Sequence, residues 1–217
     1  MQKIGLFGGT FDPVHNGHLA VGKAALSQLH LDQLIYIPAP SPPHKLEMDI
    51  TSFYHRLAML ELAVGDEKGF SVSPIEAERH GPSYTIDTLS IIRRRFDGDV
   101  TFFYVIGLDA FAEICTWKDY QQLLLKICFV VIDRPSHDNT TCEQIVLTEL
   151  QGYIGTGEGS WTHENGSTIY RLAMEPIDVS STVVRMLLQE GKSVEGLVPE
   201  RVIDYVQENR LYAPHFL

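Results

Sequence analysis

No run of this chain approaches the roughly 20 consecutive apolar residues that a membrane-spanning helix requires, so a bilayer is not an expected partner. Cysteine is scarce. Cys115, Cys128 and Cys142 are odd in number, far apart and never spaced as Cys-x-x-Cys. That argues against both a disulfide framework and a structural zinc site, and reduced thiols are expected. Basic residues are also in short supply, with 17 Lys and Arg against 28 Asp and Glu and a formal net charge of −11. Such a balance disfavours nucleic acid or an anionic membrane as partner, although a nucleotide needs only a local positive pocket on an acidic body. A charged and then apolar leader is missing as well, because the chain enters an apolar stretch at its third residue. The expected location is therefore the cytoplasm. There are no internal repeats and no low-complexity tails.

What is present suits one globular body. A 44% hydrophobic and 21% charged composition over 217 residues can bury one sizeable core, so a single domain over 1–217 is expected. Apolar runs alternate with helical patterns: strand 3–7, helix 17–30, strand 33–38, helix 52–65, strand near 70–73, helix 84–96, strand 100–106, helices around 109–125, strand 127–132. Three strands, 33–38, 100–106 and 128–132, are nearly continuous hydrophobic runs, as parallel strands covered on both faces should be. The expected fold class is α/β: a doubly wound, Rossmann-like, mostly parallel sheet with helices on both faces, a core over 1–176 and a C-terminal helical segment over 177–217. Residues 135–168 are rich in glycine and small polar residues and read as a variable, mobile loop. Within it Gly155-Thr156-Gly157-Glu158-Gly159 superficially suggests a dinucleotide fingerprint, but the spacing is wrong, no strand clearly leads in and no helix follows.

The most informative stretch is Gly8-Gly9-Thr10-Phe11-Asp12-Pro13-Val14-His15-Asn16-Gly17-His18, which joins the first strand to the first helix. Glycines there let backbone N–H groups approach a ligand, and the helix N-terminus adds positive partial charge that favours phosphate. Histidines at i and i+3 can converge on one anion and donate to phosphoryl oxygens as charge builds in a displacement. Late in the chain, Val179-Ser180-Ser181-Thr182-Val183-Val184-Arg185 offers a second helix start, with Ser180 or Ser181 as cap, Gly191 to end the helix, and Arg185 one turn in as a fixed cation. His44, His55 and His80 are scattered without ligand spacing.

These two segments resemble the signatures of the HxGH nucleotidyltransferases, which transfer a nucleotidyl group from a nucleoside triphosphate to a phosphate or phosphate-like acceptor. Further segments are similar to the branch of that family acting on nicotinate mononucleotide: Pro42-Pro43-His44-Lys45, Arg56 with Met59-Leu60-Glu61-Leu62-Ala63, Pro82-Ser83-Tyr84-Thr85-Ile86-Asp87-Thr88-Leu89, Ile106-Gly107-Leu108-Asp109 leading to Trp117, and Leu197-Val198-Pro199 with Tyr205. The phosphopantetheine branch shares the Gly-Thr-Phe-Asp-Pro and His-Asn-Gly-His elements but is not expected to carry the Pro-Ser-Tyr-Thr segment or the Gly-x-Asp followed by Trp. The match is weakest over 135–176.

The resemblance implies adenylyl transfer from ATP to nicotinate mononucleotide, in NAD biosynthesis, with His15, His18, Lys45 and Arg185 as catalytic residues. It implies ATP contacts from Gly8, Gly9, Phe11, His15, His18, Ile106, Gly107, Ser180, Ser181, Thr182 and Arg185. For the acceptor it implies Thr10, Lys45, Tyr84, Thr85, Asp109, Trp117 and Arg134, with Trp117 stacked on the nicotinate ring. Asp109 would suit ribose hydroxyls or serve as a helix N-cap. The alternatives are a solvated surface lysine for Lys45 and a core residue at a helix junction for Trp117. Magnesium is the expected cofactor, carried on the ATP phosphates, since no dedicated metal cage stands out. Homo-oligomerisation is left open. The rival readings are the same chemistry on nicotinamide mononucleotide or phosphopantetheine, and a non-catalytic nucleotide sensor. A sensor has no need of paired histidines aimed at a transition state.

Overall fold

A computed structural model describes residues 1–40, 50–65, 67–79, 81–132, 141–175 and 177–213. The sheet begins with β1 (Gln2–Gly9), β2 (Gln33–Pro38), β3 (Phe70–Val72), β4 (Val100–Gly107) and β5 (Cys128–Ile132), all mutually parallel. It is completed by β6 (Tyr153–Gly157), β7 (Ser160–His163) and β8 (Thr168–Leu172), in the order β3-β2-β1-β4-β5-β8-β7-β6.

Side-chain alternation divides the core between the two faces. Leu6, Ile37, Phe102, Ile106, Phe129 and Val131 pack with Leu89 of α3 (Thr85–Arg93), Phe111 of α4 (Leu108–Ala112), Leu123 of α5 (Tyr120–Lys126) and Ile145 of α6 (Cys142–Glu149). Phe7, Leu34, Tyr36, Phe103, Val105 and Val130 point the other way. They meet Val21 of α1 (Asn16–Gln28), Met59 of α2 (Phe53–Val64), Val184 of α7 (Ser181–Gln189) and Val202 of α8 (Glu200–Glu208). Both faces of the central strands are covered, which is why these strands are hydrophobic without interruption. Among the described residues, no helix is long and apolar enough to cross a membrane.

The chain first winds from β1 outward to β3, then returns to place β4 on the other side of β1. Right-handed crossovers then put α1 and α2 on one face and α3 on the opposite one. The reversal opens a crevice beyond the carboxyl ends of β1 and β4, the position at which doubly wound sheets bind ligands. Gly8 and Gly9 end β1 and Gly107 ends β4.

One expectation is overturned. The described part of 135–168 is not a loop. Thr141 caps α6 through a reciprocal box with Gln144, and β6 and β7 form an antiparallel hairpin that pairs onto β8, itself parallel to β5. The Gly155–Gly159 stretch is the end of β6 and the hairpin turn, with Gly159 at φ +69. The reading as a loop failed because these edge strands bury little: β6 buries only Tyr153. A ladder of hydroxyls, Thr156 to Thr162 at 3.0 Å and Thr162 to Thr168 at 3.1 Å, runs across the three strands in place of an apolar stripe.

Candidate active site

The loop leaving β1 is tightly built. Phe11 takes a left-handed backbone (φ +50), which turns its ring into the core, 5.6 Å edge-on from Phe7 and 5.0 Å from the His18 ring. Phe11 and Ile106 are buried, so neither side chain faces the crevice and each could meet a ligand only through its backbone. His15 and His18 come together as expected, with stacked rings 3.7 Å apart. The His15 backbone N–H donates to His18 Nδ1 at 3.2 Å. That nitrogen therefore keeps its lone pair, the proton sits on Nε2, and Nε2 is the atom through which His18 can donate. His15 is 2% exposed and lies inside, whereas His18 is half-buried at the crevice.

The second signature closes on the first. Ser180, not Ser181, is the cap of α7, its Oγ accepting from the Val183 N–H at 3.2 Å. Ser181 Oγ instead donates to the Pro13 carbonyl at 2.9 Å, and Arg185 Nη1 donates to the Asp12 carbonyl at 2.6 Å. Thr182 is exposed in the first turn, within 3.4 Å of Arg185 Nη2. Two helix N-termini, α1 and α7, thus share the 8–15 loop, and their partial positive charges add to one guanidinium. Gly191 (φ +66) ends α7 as expected, with Gly191 N–H on Leu188 and Lys192 N–H on Leu187.

On the β4 side, Tyr104 is the organising residue. Burial pushes its phenol up to about 12, with Thr85 opposing that shift, so it stays a hydrogen-bond donor. A Cβ at Gly8 would stand 2.6 Å from the Tyr104 hydroxyl, so glycine there makes room for the phenol. Trp117 is half-buried, packs on the core and makes a T-shaped contact with Tyr104 at 6.0 Å. Tyr84 is the N-cap of α3, and the N–H groups of Thr85 and Ile86 precede that helix's first hydrogen bonds. Lys118 lies 4.8 Å over the Tyr84 ring and 3.0 Å from Asp87, whose carboxyl it holds below the usual carboxylate range, with Arg79 assisting. Gly107, not Asp109, is the N-cap of α4, and Asp109 is exposed in the first turn. Lys45 and Arg134 lie outside the described residues.

The cytidylyltransferase-like family model matches residues 6–187. The nicotinate-nucleotide adenylyltransferase of Bacillus subtilis is 35% identical over 98% of this chain and 99% of its own. A "probable nicotinate-nucleotide adenylyltransferase" of Desulfotalea psychrophila is 42% identical over 98% and 100%. This chain belongs to the nicotinate-nucleotide adenylyltransferase family. Among solved structures, the Plasmodium falciparum nicotinic acid mononucleotide adenylyltransferase complexed with NaAD superposes with a TM-score of 0.72 at 18% identity, covering 98% of both chains, so the fold is shared far beyond the sequence.

Around this family's signature residues the structure adds groups that sequence reasoning did not place in the site. Arg56 is 1% exposed and donates to three carbonyls, Thr10 at 2.7 Å, Thr51 at 2.9 Å and Pro40 at 3.1 Å. Burial lowers its proton affinity, and nearby Asp12 and Tyr212 oppose that effect. Asp12, 4% exposed, receives the Tyr212 hydroxyl on Oδ1 at 2.5 Å and the Thr51 N–H on Oδ2 at 3.3 Å. Glu76 accepts from Thr88 at 2.9 Å, and desolvation raises its carboxyl above the ordinary value. Arg56 stood out in the sequence as part of a family-like segment, and an arginine amid the apolar positions of Phe53–Val64 is the signal for its buried role.

Proposed function

We propose that this chain joins ATP and nicotinate mononucleotide to give nicotinate adenine dinucleotide and pyrophosphate, the adenylyl-transfer step of NAD biosynthesis. A phosphate oxygen of the mononucleotide attacks the α-phosphorus in line, the bond to the bridging oxygen breaks, and pyrophosphate leaves with the electron pair. No protein nucleophile is required, so the residues position groups and neutralise charge. The observation that carries the reading is the joining of the two signatures at the switch point, with Ser181 on Pro13 and Arg185 on Asp12.

In this reading the triphosphate lies across the N-termini of α1 and α7. His18 Nε2 donates to the α-phosphoryl group with His15 beneath it, while Ser181, Thr182 and Arg185 hold the β- and γ-phosphates. A Cβ at Gly107 would meet no protein atom within 4 Å, which leaves room for the nucleoside above β4. Among the described residues no group of three His, Cys, Asp or Glu could hold a metal ion, and magnesium binds mainly through substrate phosphates and water. Bound that way, magnesium would neutralise charge on the triphosphate.

The acceptor ring packs against Trp117, and its carboxylate meets the start of α3. A helix N-terminus is worth about 0.3–1 kcal/mol to an anion, and up to about 2 when partly buried. The amide gains less, and its NH₂ would face N–H donors and lose a hydrogen bond, at about 1–3 kcal/mol. Of the carboxylates at the start of α3, Asp87 is paired with Lys118 and Arg79, and Glu76 is taken by Thr88 and offset by Arg79. We expect kcat/KM for nicotinate mononucleotide to exceed that for nicotinamide mononucleotide by about ten-fold or more. Pyrophosphate release with ATP, magnesium and each mononucleotide is the measurement. Equal values would refute the acceptor assignment alone, and no release with either would refute the transfer itself.

A further inference from the structure

The end of the chain reaches back to the phosphate loop in a manner that helix packing does not require. After α8 the backbone becomes left-handed at Arg210 (φ +50) and again at Tyr212 (φ +55), neither of them glycine. Bonds from Arg210 N–H to Gln207 and from Leu211 N–H to Val206 fix the first turn, and Leu211 packs on the core. The turn at Arg210 is the usual left-handed cap of a helix, but a second left-handed residue at Tyr212 is unfavourable backbone of the kind that persists where the surroundings over-determine it. The contact made there is the Tyr212 hydroxyl on Asp12 Oδ1, across 200 positions of sequence.

Asp12 is a buried carboxylate placed among two guanidinium groups. Arg185 is already on its backbone carbonyl, and Arg56 and Arg185 are both within electrostatic reach of the Asp12–Tyr212 pair. Arg56 is pinned by three carbonyls. Arg185 is held by one, plus a long 3.4 Å contact to Thr182, so it is the cation able to turn. We infer that Tyr212 is a positioning residue for the triphosphate subsite: by occupying Asp12 Oδ1, with the Thr51 N–H on Oδ2, it keeps that carboxylate from pairing with Arg185. Arg185 then presents its charge to the triphosphate. This rests on the proposed role of Arg185.

Tyr212→Phe removes one oxygen and exposes the Asp12 carboxylate to Arg185. The expected result is a rise on the order of ten-fold in KM for ATP and in the Kd for ATP measured by calorimetry, with kcat and the acceptor KM within about two-fold of wild type. Adding Asp12→Asn, whose amide cannot form the ion pair, should bring ATP binding back to within about two-fold of wild type. A purely structural role gives the reverse, a double variant worse than either single one. Unchanged ATP binding in Tyr212→Phe, or a double variant no better than it, overturns the inference. If Tyr212→Phe fails to fold while the double variant folds and binds ATP normally, the inference stands; if neither folds, it falls. Arg185→Ala separates the premise: should it leave KM for ATP unmoved, the triphosphate role of Arg185 has failed, whereas a rise there without one in Tyr212→Phe rejects the role of Tyr212 alone.

Discussion

His18→Ala is expected to lower kcat by about 10²–10³ while the protein stays folded, because a donor aimed at developing charge typically contributes that much and contributes little to stability. The ring is half-buried on the first turn of α1, and the strands beneath it are held by Phe11, Tyr36 and Phe7 among themselves. The tautomer adds a finer expectation. Since Nδ1 accepts from the His15 N–H and Nε2 donates, glutamine, whose amide nitrogen falls near Nε2, should retain more turnover than asparagine, whose amide falls near Nδ1. Steady-state pyrophosphate release, with thermal unfolding as a check on the fold, decides both points. Wild-type turnover in His18→Ala removes the histidine from the chemistry. Asparagine outperforming glutamine reverses the tautomer.

Much of this was legible in the sequence, and the reason is physical. Strands covered on both faces must be apolar throughout, so β2, β4 and β5 announce themselves, and Gly8, Gly9 and Gly17 leave no room for a Cβ against Tyr104, Phe11 and Val179. The C-terminal part of the sheet was not legible by the same rule. Thr156, Thr162 and Thr168 stabilise it through hydroxyl pairs, and no apolar period exists to be read. Yet Thr141 and Gln144 stood at capping-box spacing, a signal for α6 that a glycine-rich neighbourhood obscured. The groups that local motifs named, His15, His18, Ser181 and Arg185, are brought together by the structure around the loop after β1. Those that act through long-range contacts were not legible, because nothing in the sequence around Tyr212 records that it touches Asp12. Tyr104 lay hidden for a related reason. On a continuous hydrophobic strand its phenol is indistinguishable from a core aromatic until Gly8 is seen to make room for it.

Arg56→Met should be the most destabilising of these substitutions. The guanidinium joins the loop after β1, through Thr10, to the loop after β2, through Pro40, and to the entry of α2, through Thr51. Methionine fills part of the volume and spares the cost of burying a charge, which by itself would favour the variant. Against that stand three carbonyl oxygens left without this donor, at about 1–3 kcal/mol for each one that stays unsatisfied. Asp12 and Tyr212 also lose the cation near them. The carbonyls win because they belong to separate segments that cannot all turn to one new donor, and the net loss is expected to be about 3–5 kcal/mol. At about 2–4 °C per kcal/mol for a domain of this size, that amounts to a fall in Tm of roughly 6–20 °C. Arg56→Lys distinguishes geometry from charge: an ammonium on a flexible stem keeps the charge but cannot span three diverging acceptors, so it should recover only part of the loss. Thermal unfolding of the three proteins at one pH and ionic strength tests this directly. If lysine restores full stability, charge alone matters and the three-point clamp is incidental; if methionine is as stable as wild type, the carbonyls find other donors and the clamp does not exist in solution.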